Sequence, residues 1–305
     1  MSATSQSSQK KNYIIRNLSQ AIDLIRSDRI TKVSILYLSL LVLLAIVGPT
    51  VAPYEANETI YRDGSIAMGE SPSIDHPLGT TDKGYDVLSR LIIGVRPTVL
   101  TGLLGGLLIL VLGTSVGITA GYMGGQTDNA LMRITDFVYG IPFIPFAIVL
   151  VTLLGVGFYT SILVIGLILW RGSARVLRSQ VLQIKERPFI RSAKATGASK
   201  RRIVFKHIIP NVAPMAVLFF ALGVGYSIIL QASLAFLGVS NPFVPSWGVM
   251  LRNAYLSGSM ATTWWWSLPP GALISLTVLA TFMFGRAYES NSTGKNGTAF
   301  AEGGG

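Results

Sequence analysis

Five long stretches without a charged side chain constrain how this chain can fold more than any other feature. An α-helix needs about 20 mostly apolar residues to cross the hydrocarbon core of a bilayer. The third stretch is long enough for two crossings if both helices extend past it, and turn-forming residues at 241–246 limit the fourth to one. The chain is therefore predicted to be an all-α integral membrane protein with six transmembrane helices. The stretches are residues 33–54, 98–127, 137–170, 208–251 and 253–285.

The first stretch predicts a permanent membrane span rather than a secretory signal peptide. It follows a polar segment of about 30 residues and has no small-x-small cleavage motif near its end. Apolar residues recur at helical spacing over residues 12–29. This favours an amphipathic helix on the inner membrane surface over a simple lead-in to the first span.

The distribution of charge predicts which segments face the cytoplasm. The net charge is +11, and residues 171–206 hold eleven Lys and Arg against one acid. Residues 1–32 hold six bases and two acids, whereas residues 53–97 hold seven acids and four bases. Basic segments stay on the cytoplasmic side, and six crossings then place both termini there. The positive charge is thus explained by membrane topology, and no nucleic-acid partner is predicted.

The basic loop before the fifth span contains a short helix of small residues. Pro188 is typical of a first helical turn and Gly197 of the position just past a helix end. Small side chains let a second protein surface come close, so the loop indicates a docking element on the cytoplasmic face. Its residues are Arg191, Ser192, Ala193, Lys194, Ala195, Thr196 and Gly197, with Pro210 opening the next apolar run.

This loop resembles the coupling loop of permease subunits in binding-protein-dependent ABC importers. Ala193, Gly197, Ile208 and Pro210 follow the family's spacing, while Arg191 stands where the family usually has an acid. Segments 76–90 and 236–248 resemble the second permease subunit of dipeptide, oligopeptide and nickel importers.

The resemblance implies the type I ABC importer permease fold and a role in moving peptides or a related small solute. It implies a second homologous permease, two cytoplasmic ATPase subunits that bind ATP and Mg, and an extracytoplasmic substrate-binding protein. It also assigns Arg191 to Gly197 and Pro210 to ATPase coupling. The chain itself is expected to be non-catalytic, to carry no cofactor or metal, and to reside in the cell membrane among its lipids.

The predicted organisation has three parts. Residues 1–32 form a cytoplasmic segment, 33–285 a six-helix permease domain and 286–305 a flexible cytoplasmic tail. The domain contains the cytoplasmic coupling loop 175–208. Its outer loops are residues 53–97 and 235–266.

Residues 87–95 predict a short interfacial helix before the second span, with Arg90 opposite its apolar face.

Glycines in the second span, among them Gly102, Gly113 and Gly117, predict close helix packing rather than substrate contact. Prolines at the start of the third span predict kinks, which either shape a pathway or serve packing.

Two clusters near span ends carry further predictions. The fourth span, ending near Ala174, leads into a cationic face of Arg171, Arg175 and Arg178 that meets lipid headgroups or a partner. The run at 264–266 is three tryptophans, which predicts an anchor at the headgroup level, with substrate stacking as the alternative.

Several chemistries are excluded by the motifs. No phosphate-binding Gly-rich loop, His-Glu-x-x-His helix or Gly-x-Ser-x-Gly elbow occurs, and the chain has no cysteine. No ionisable residue is expected in the middle of a span, which argues against ion coupling. The competing hypotheses are an ATPase-independent facilitator or secondary transporter and, more weakly, a membrane scaffold.

Overall fold

The structure is a computed structural model that describes residues 29–258 and 260–301. The predicted surface helix at residues 12–29 lies outside these ranges, except for Arg29. The described chain is mostly helical, with a short antiparallel hairpin of β1 Tyr61–Arg62 and β2 Ser65–Ile66 between its first two helices. Its helices are α1 Arg29–Val51, α2 Val87–Met123, α3 Gly125–Gly140, α4 Phe143–Leu154, α5 Phe158–Lys185, α6 Pro188–Ala195, α7 Lys200–Ile203, the π-helix Val204–Ile208, α8 Ile209–Phe236, α9 Trp247–Leu256 and α10 Trp264–Ala301.

Five helical segments in the described residues are long and apolar enough to cross a membrane. They are α1, α2, α5, the continuous segment Lys200–Phe236, and α10. Helices α3 and α4 pass the same test together but are bent by 95°. Counted as one broken crossing they complete the predicted six, and a turn at 155–157 separates α4 from α5.

The bend between α3 and α4 has a local cause. Ile141 and Pro142 both have extended backbone, with ψ of 124° and 120°. A proline disfavours helical geometry in the residue before it and removes a backbone donor. The third span is therefore interrupted, where kinks alone were predicted.

Helix α2 is the central element, with its most extensive packing against α5 and α8. At Gly113 an added Cβ would collide with Ser173, and at Gly117 it would lie 2.7 Å from the Ala174 carbonyl oxygen. The backbones of α2 and α5 touch because these side chains are missing. The predicted packing role of the glycines is thus confirmed at this contact.

The predicted short interfacial helix is instead the start of α2, which runs without a break for 37 residues. The Asp86 side chain accepts a hydrogen bond from the Ser89 amide and caps this helix. Arg90 is only 2% exposed, since the loop before α2 folds over it. Its Nη1 donates to the Ala56 carbonyl at 3.0 Å and to Asn57 Oδ1 at 2.9 Å.

The segment after α8 also packs on the extension of α2. The loop contains helix α9, which was predicted only as a shaped loop, and Ser246 caps it by accepting from the Val249 amide. Trp247 is fully buried and donates from Nε1 to the Leu91 carbonyl at 3.1 Å. Gly94 permits this approach, because a Cβ there would lie 3.1 Å from the Trp247 ring and collide with Pro245.

The tryptophan run is mostly core rather than a headgroup anchor. Trp266 is 2% exposed and Trp265 9%, and both pack with Trp247 in one apolar cluster. Trp264 alone is exposed. The prediction was wrong for two of the three residues because the loops around α2 and α9 cover this end of α10.

Part of the predicted tail 286–305 is helical in the structure. Helix α10 continues from the last crossing to Ala301. No proline follows Phe284 to stop it, and adding residues to an existing helix is far easier than starting one. Residues 302–305 lie outside the described part.

Candidate functional site

Helix α6 begins the predicted docking element and packs on the bundle through Phe189 and Ile190. Pro188 occupies its first turn, as the sequence predicts. Ile190 is completely buried in a cluster with side chains of α5, the π-helix and α8. The neighbouring Phe189 lies 6.2 Å from the His207 ring, measured between centroids. Displacement of α6 must therefore move the ends of α5 and α8.

The C-terminal end of α6 is closed by a left-handed turn at Gly197, whose φ is +78°. The Gly197 amide donates to the Lys194 carbonyl and the Ala198 amide to the Ala193 carbonyl, both at 3.0 Å. This pair of bonds is the Schellman arrangement, which favours glycine. The Ser199 side chain then caps α7 by accepting from the Arg202 amide.

The outer surface of α6 and its turn is open. Ser192, Ala195, Thr196 and Gly197 are exposed, as are Arg191 and Lys194, and Ala193 is half-buried. Space around Gly197 is empty, since nothing in the described chain lies within 4 Å of a Cβ built there. Arg191 donates to Glu186 at 3.2 Å, with both side chains about two-thirds exposed, so a local acid compensates its charge.

Pro210 lies apart from this surface, in the first turn of α8. The π-helix precedes it, and Ile209 there donates to the Val204 carbonyl five residues back. Pro210 has no amide hydrogen, and its ring crowds the carbonyl four residues earlier; a wider turn relieves that contact. The structure thus places seven of the eight predicted coupling residues together and gives Pro210 a separate position.

The cationic face of α5 meets α3. Arg178 donates from Nη2 to Asp128 at 2.6 Å, and Arg175 reaches Asp136 at the same distance. Both acids lie on α3, which packs alongside because the chain turns sharply at Gly124, where φ is +67°. The prediction for this face left out these acids of the adjacent helix, which pair with Arg175 and Arg178.

Arg171 differs from the two arginines that follow it. Its guanidinium lies 4.9 Å from the Tyr139 ring centroid, and its Nη1 donates to the Ile168 carbonyl at 3.1 Å and the Val138 carbonyl at 3.4 Å. Among the described residues no carboxylate lies within 4.0 Å of it. It lines a cavity of about 410 Å³ between α2, α3, α5 and α8.

Arg171 lies farther inside its helix than the sequence predicted. Helix α5 runs from Phe158 to Lys185, far past the predicted end near Ala174, so Arg171 lies at its centre. The cavity also contacts Ile109 and Gly223, which are central in the apolar parts of α2 and α8. The available signal was a row of three arginines, at positions 171, 175 and 178, next to a helix with only two acids, Asp128 and Asp136.

No cluster of three or more metal-binding side chains occurs in the described ranges. His76, the one buried histidine in these ranges, bonds Asp86 Oδ1 at 2.9 Å through Nδ1. Asp86 is already engaged with Ser89, whose hydroxyl donates to it at 2.7 Å. This network therefore fixes the loop to the start of α2.

Comparison with known proteins gives a consistent set of similarities. A family model described as "Binding-protein-dependent transport system inner membrane component" matches residues 113–291. The dipeptide transport system permease protein of Bacillus subtilis is 32% identical over 86% of this chain and 80% of its own length. A glutathione transport system permease protein of Pectobacterium atrosepticum is 34% identical over 82% of each chain. An oligopeptide transport system permease protein of Haemophilus influenzae is 32% identical over 80% of this chain and 78% of its own length.

Proposed function

Since this chain belongs to the family of inner membrane components of binding-protein-dependent transport systems, we propose that it imports peptides or a related small solute and that α6 receives the ATP-driven movement. The chain is a non-catalytic permease subunit of an ABC importer and a multi-pass protein of the cytoplasmic membrane. It works in a complex with ATPase and substrate-binding partners. The peptide substrate is inferred from the names of the relatives.

The proposed complex contains a second homologous permease, two ATPase subunits that bind ATP and Mg on the cytoplasmic side, and an extracytoplasmic binding protein. The basic loop with α6 then faces the cytoplasm, and the acidic loop before α2 faces outward, which fits the rule that basic segments are retained. Lipid surrounds the apolar outer faces of the helices.

The coupling proposal rests on the difference between the two faces of α6. One side is fixed by the fully buried Ile190, and the other presents exposed small residues. A partner docked on the small side moves α6 as a rigid piece, and the Ile190 cluster passes that movement to α5 and α8. These two helices form walls of the cavity at Arg171, so α6 movement and cavity shape are linked.

The sequence left an ATPase-independent facilitator as the alternative. Arg171 removes one argument against it, because an ionisable residue does lie within a span. Family membership nevertheless favours the importer, since the relatives are permease proteins of binding-protein-dependent systems.

The test is a bulky substitution on the open side of α6. We expect Ala195→Trp to leave insertion and assembly intact and to abolish binding-protein-stimulated ATPase activity and peptide uptake in proteoliposomes. Ala130→Trp is the matched control, because Ala130 is an exposed alanine in α3 near the same end of the bundle. Gly197→Trp is less clean, since φ of +78° strains any larger residue there.

Normal uptake by the Ala195→Trp complex would contradict the coupling role of α6. A complex that purifies without any ATPase would contradict the importer assignment. A wild-type complex that takes up no peptide would contradict the peptide substrate.

A further inference from the structure

We propose that Arg171 is a substrate-binding residue that holds a carboxylate of the solute while it crosses the membrane. The inference rests on the proposed import function and deepens it, because it names the chemical group recognised inside the permease. It identifies the solute as one with a free carboxylate, such as the C-terminus of a peptide.

The first support is the cost of placing a cation at this depth. A charged side chain within a membrane-spanning segment is costly unless it faces a water-filled cavity or a partner group. Arg171 meets this condition by lining the cavity. The volume of about 410 Å³ falls within the range of about 300–1,000 Å³ found for small-molecule sites.

The second support is the state of its hydrogen-bond donors. A guanidinium has five N–H donors in a planar fork. Within the described residues, only Nη1 has hydrogen-bond acceptors, and both of these are helix carbonyls. The face of Tyr139 stacks near the guanidinium and restricts its orientation. The remaining donors are available to a ligand in the cavity.

The third support is the contrast within one row of arginines. Arg175 and Arg178 each bind an aspartate of α3, whereas Arg171 has no carboxylate partner among the described residues. The side chains that line the cavity with it are aromatic, apolar or hydroxyl-bearing, and none is acidic. An anion from outside the chain is therefore the complementary ligand.

A carboxylate suits this position because it accepts two parallel N–H bonds from a guanidinium. The aromatic rings of Tyr139 and Tyr226 and the glycines 172 and 223 leave room for the rest of a small peptide. The site needs to bind only transiently, since the solute must leave again. One charged contact in an otherwise uncharged cavity fits that requirement.

The experiment uses the full importer complex with its binding protein in proteoliposomes and the tripeptide Ala-Ala-Ala as probe. Arg171→Met is expected to lower uptake roughly tenfold to a hundredfold, the range for one lost charge-assisted pair, with assembly and stimulated ATPase activity retained. Arg171→Lys should recover part of the uptake. Arg175→Met is the matched control, because it removes the other arginine stacked on Tyr139, at 4.2 Å, and should transport normally.

A second readout tests the carboxylate directly. The photo-cross-linking amino acid benzoylphenylalanine replaces Tyr226 in the cavity wall. Radiolabelled Ala-Ala-Ala or its C-terminal amide is added to the solubilised complex, and irradiation then links the bound peptide covalently to residue 226. We expect capture of the free acid to exceed that of the amide, and Arg171→Met to abolish the difference.

Three results would overturn the inference. The first is equal uptake by the Arg171→Met and Arg175→Met complexes. The second is loss of assembly or of stimulated ATPase activity in Arg171→Met, which would assign the arginine to an acid of the second permease. The third is equal capture of acid and amide by the wild type. A wild-type complex that hydrolyses ATP but imports no peptide would refute the proposed substrate as well.

Discussion

At the scale of single residues, the partner of a side chain decides its role more than its type does. Arg171, Arg175 and Arg178 follow one helical row, yet two of them bind aspartates of α3 and the third lines a cavity. Exposed ion pairs of the Arg175 kind contribute little stability, about 0–1 kcal/mol. Keeping the charged Arg171 side chain within a span is costly. Binding of a ligand accounts for its presence there better than a contribution to stability does.

The cavity itself depends on Gly172. A Cβ at this position would lie 3.5 Å from Tyr139 Oη, an ordinary contact distance, so Gly172→Ala should support normal uptake. Gly172→Leu should project into the cavity and obstruct it. The leucine side chain takes up part of the space that the solute needs, so peptide uptake should fall several-fold.

The measurement is the initial rate of uptake by matched complexes that assemble equally well. Full activity of Gly172→Leu would mean that the solute takes another route through the bundle.

Some residue roles could be predicted from the sequence because their causes are local. Pro188 and Gly197 mark the ends of α6 through backbone geometry that no distant contact changes. Arg90 and Trp266 could not be predicted in the same way. Their burial comes from loops that fold back over α2 and α10, and a helical face shows which residues share a side but not what covers it.

At the scale of helices, the charge-free stretches predicted how many crossings there are but not where they end. Helix α2 exceeds its apolar stretch by eleven residues at its start, because capping by Asp86 and loop contacts extend it. The third crossing is broken because Ile141 and Pro142 are extended. Helix α9 was missed because turn-forming residues precede it and dominate the local pattern.

The start of α10 carries a prediction about its tryptophans. Trp266→Ala should destabilise the protein by about 3–5 kcal/mol, the usual cost of removing a large buried aromatic side chain. Trp264→Ala is the control and should change stability little, because Trp264 is 54% exposed. The two purified variants are heated, and size-exclusion chromatography then measures how much of each remains folded.

Equal stability of the Trp266→Ala and Trp264→Ala variants would contradict burial of Trp266. It would restore the interpretation of the whole run as a headgroup anchor.

At the scale of the whole molecule, α6 and the loop before α2 should lie on opposite sides of the membrane. The chain has no natural cysteine, so a single introduced thiol reports its own side. Ile74 is 99% exposed in the loop before α2, and Ala195 is exposed on α6. Labelling with a membrane-impermeant maleimide should modify Ile74→Cys in intact cells and Ala195→Cys only in inside-out vesicles.

Reversed labelling would invert the proposed topology. Labelling of both thiols from the same side would mean that the number of crossings between residues 74 and 195 is not three.

The most direct test of the central claim is chemical cross-linking from α6 in the transport-active complex. Ala195→Cys adds only a small thiol, which is the sole cysteine of this chain, and a short thiol-to-amine cross-linker records what touches it. If α6 couples to the ATPase, one covalent product with the ATPase subunit forms, in a yield that changes when ATP binds. Ala130→Cys should give no such ATP-dependent product. A complex that transports peptide while its Ala195→Cys thiol forms no adduct with the ATPase would contradict coupling through α6.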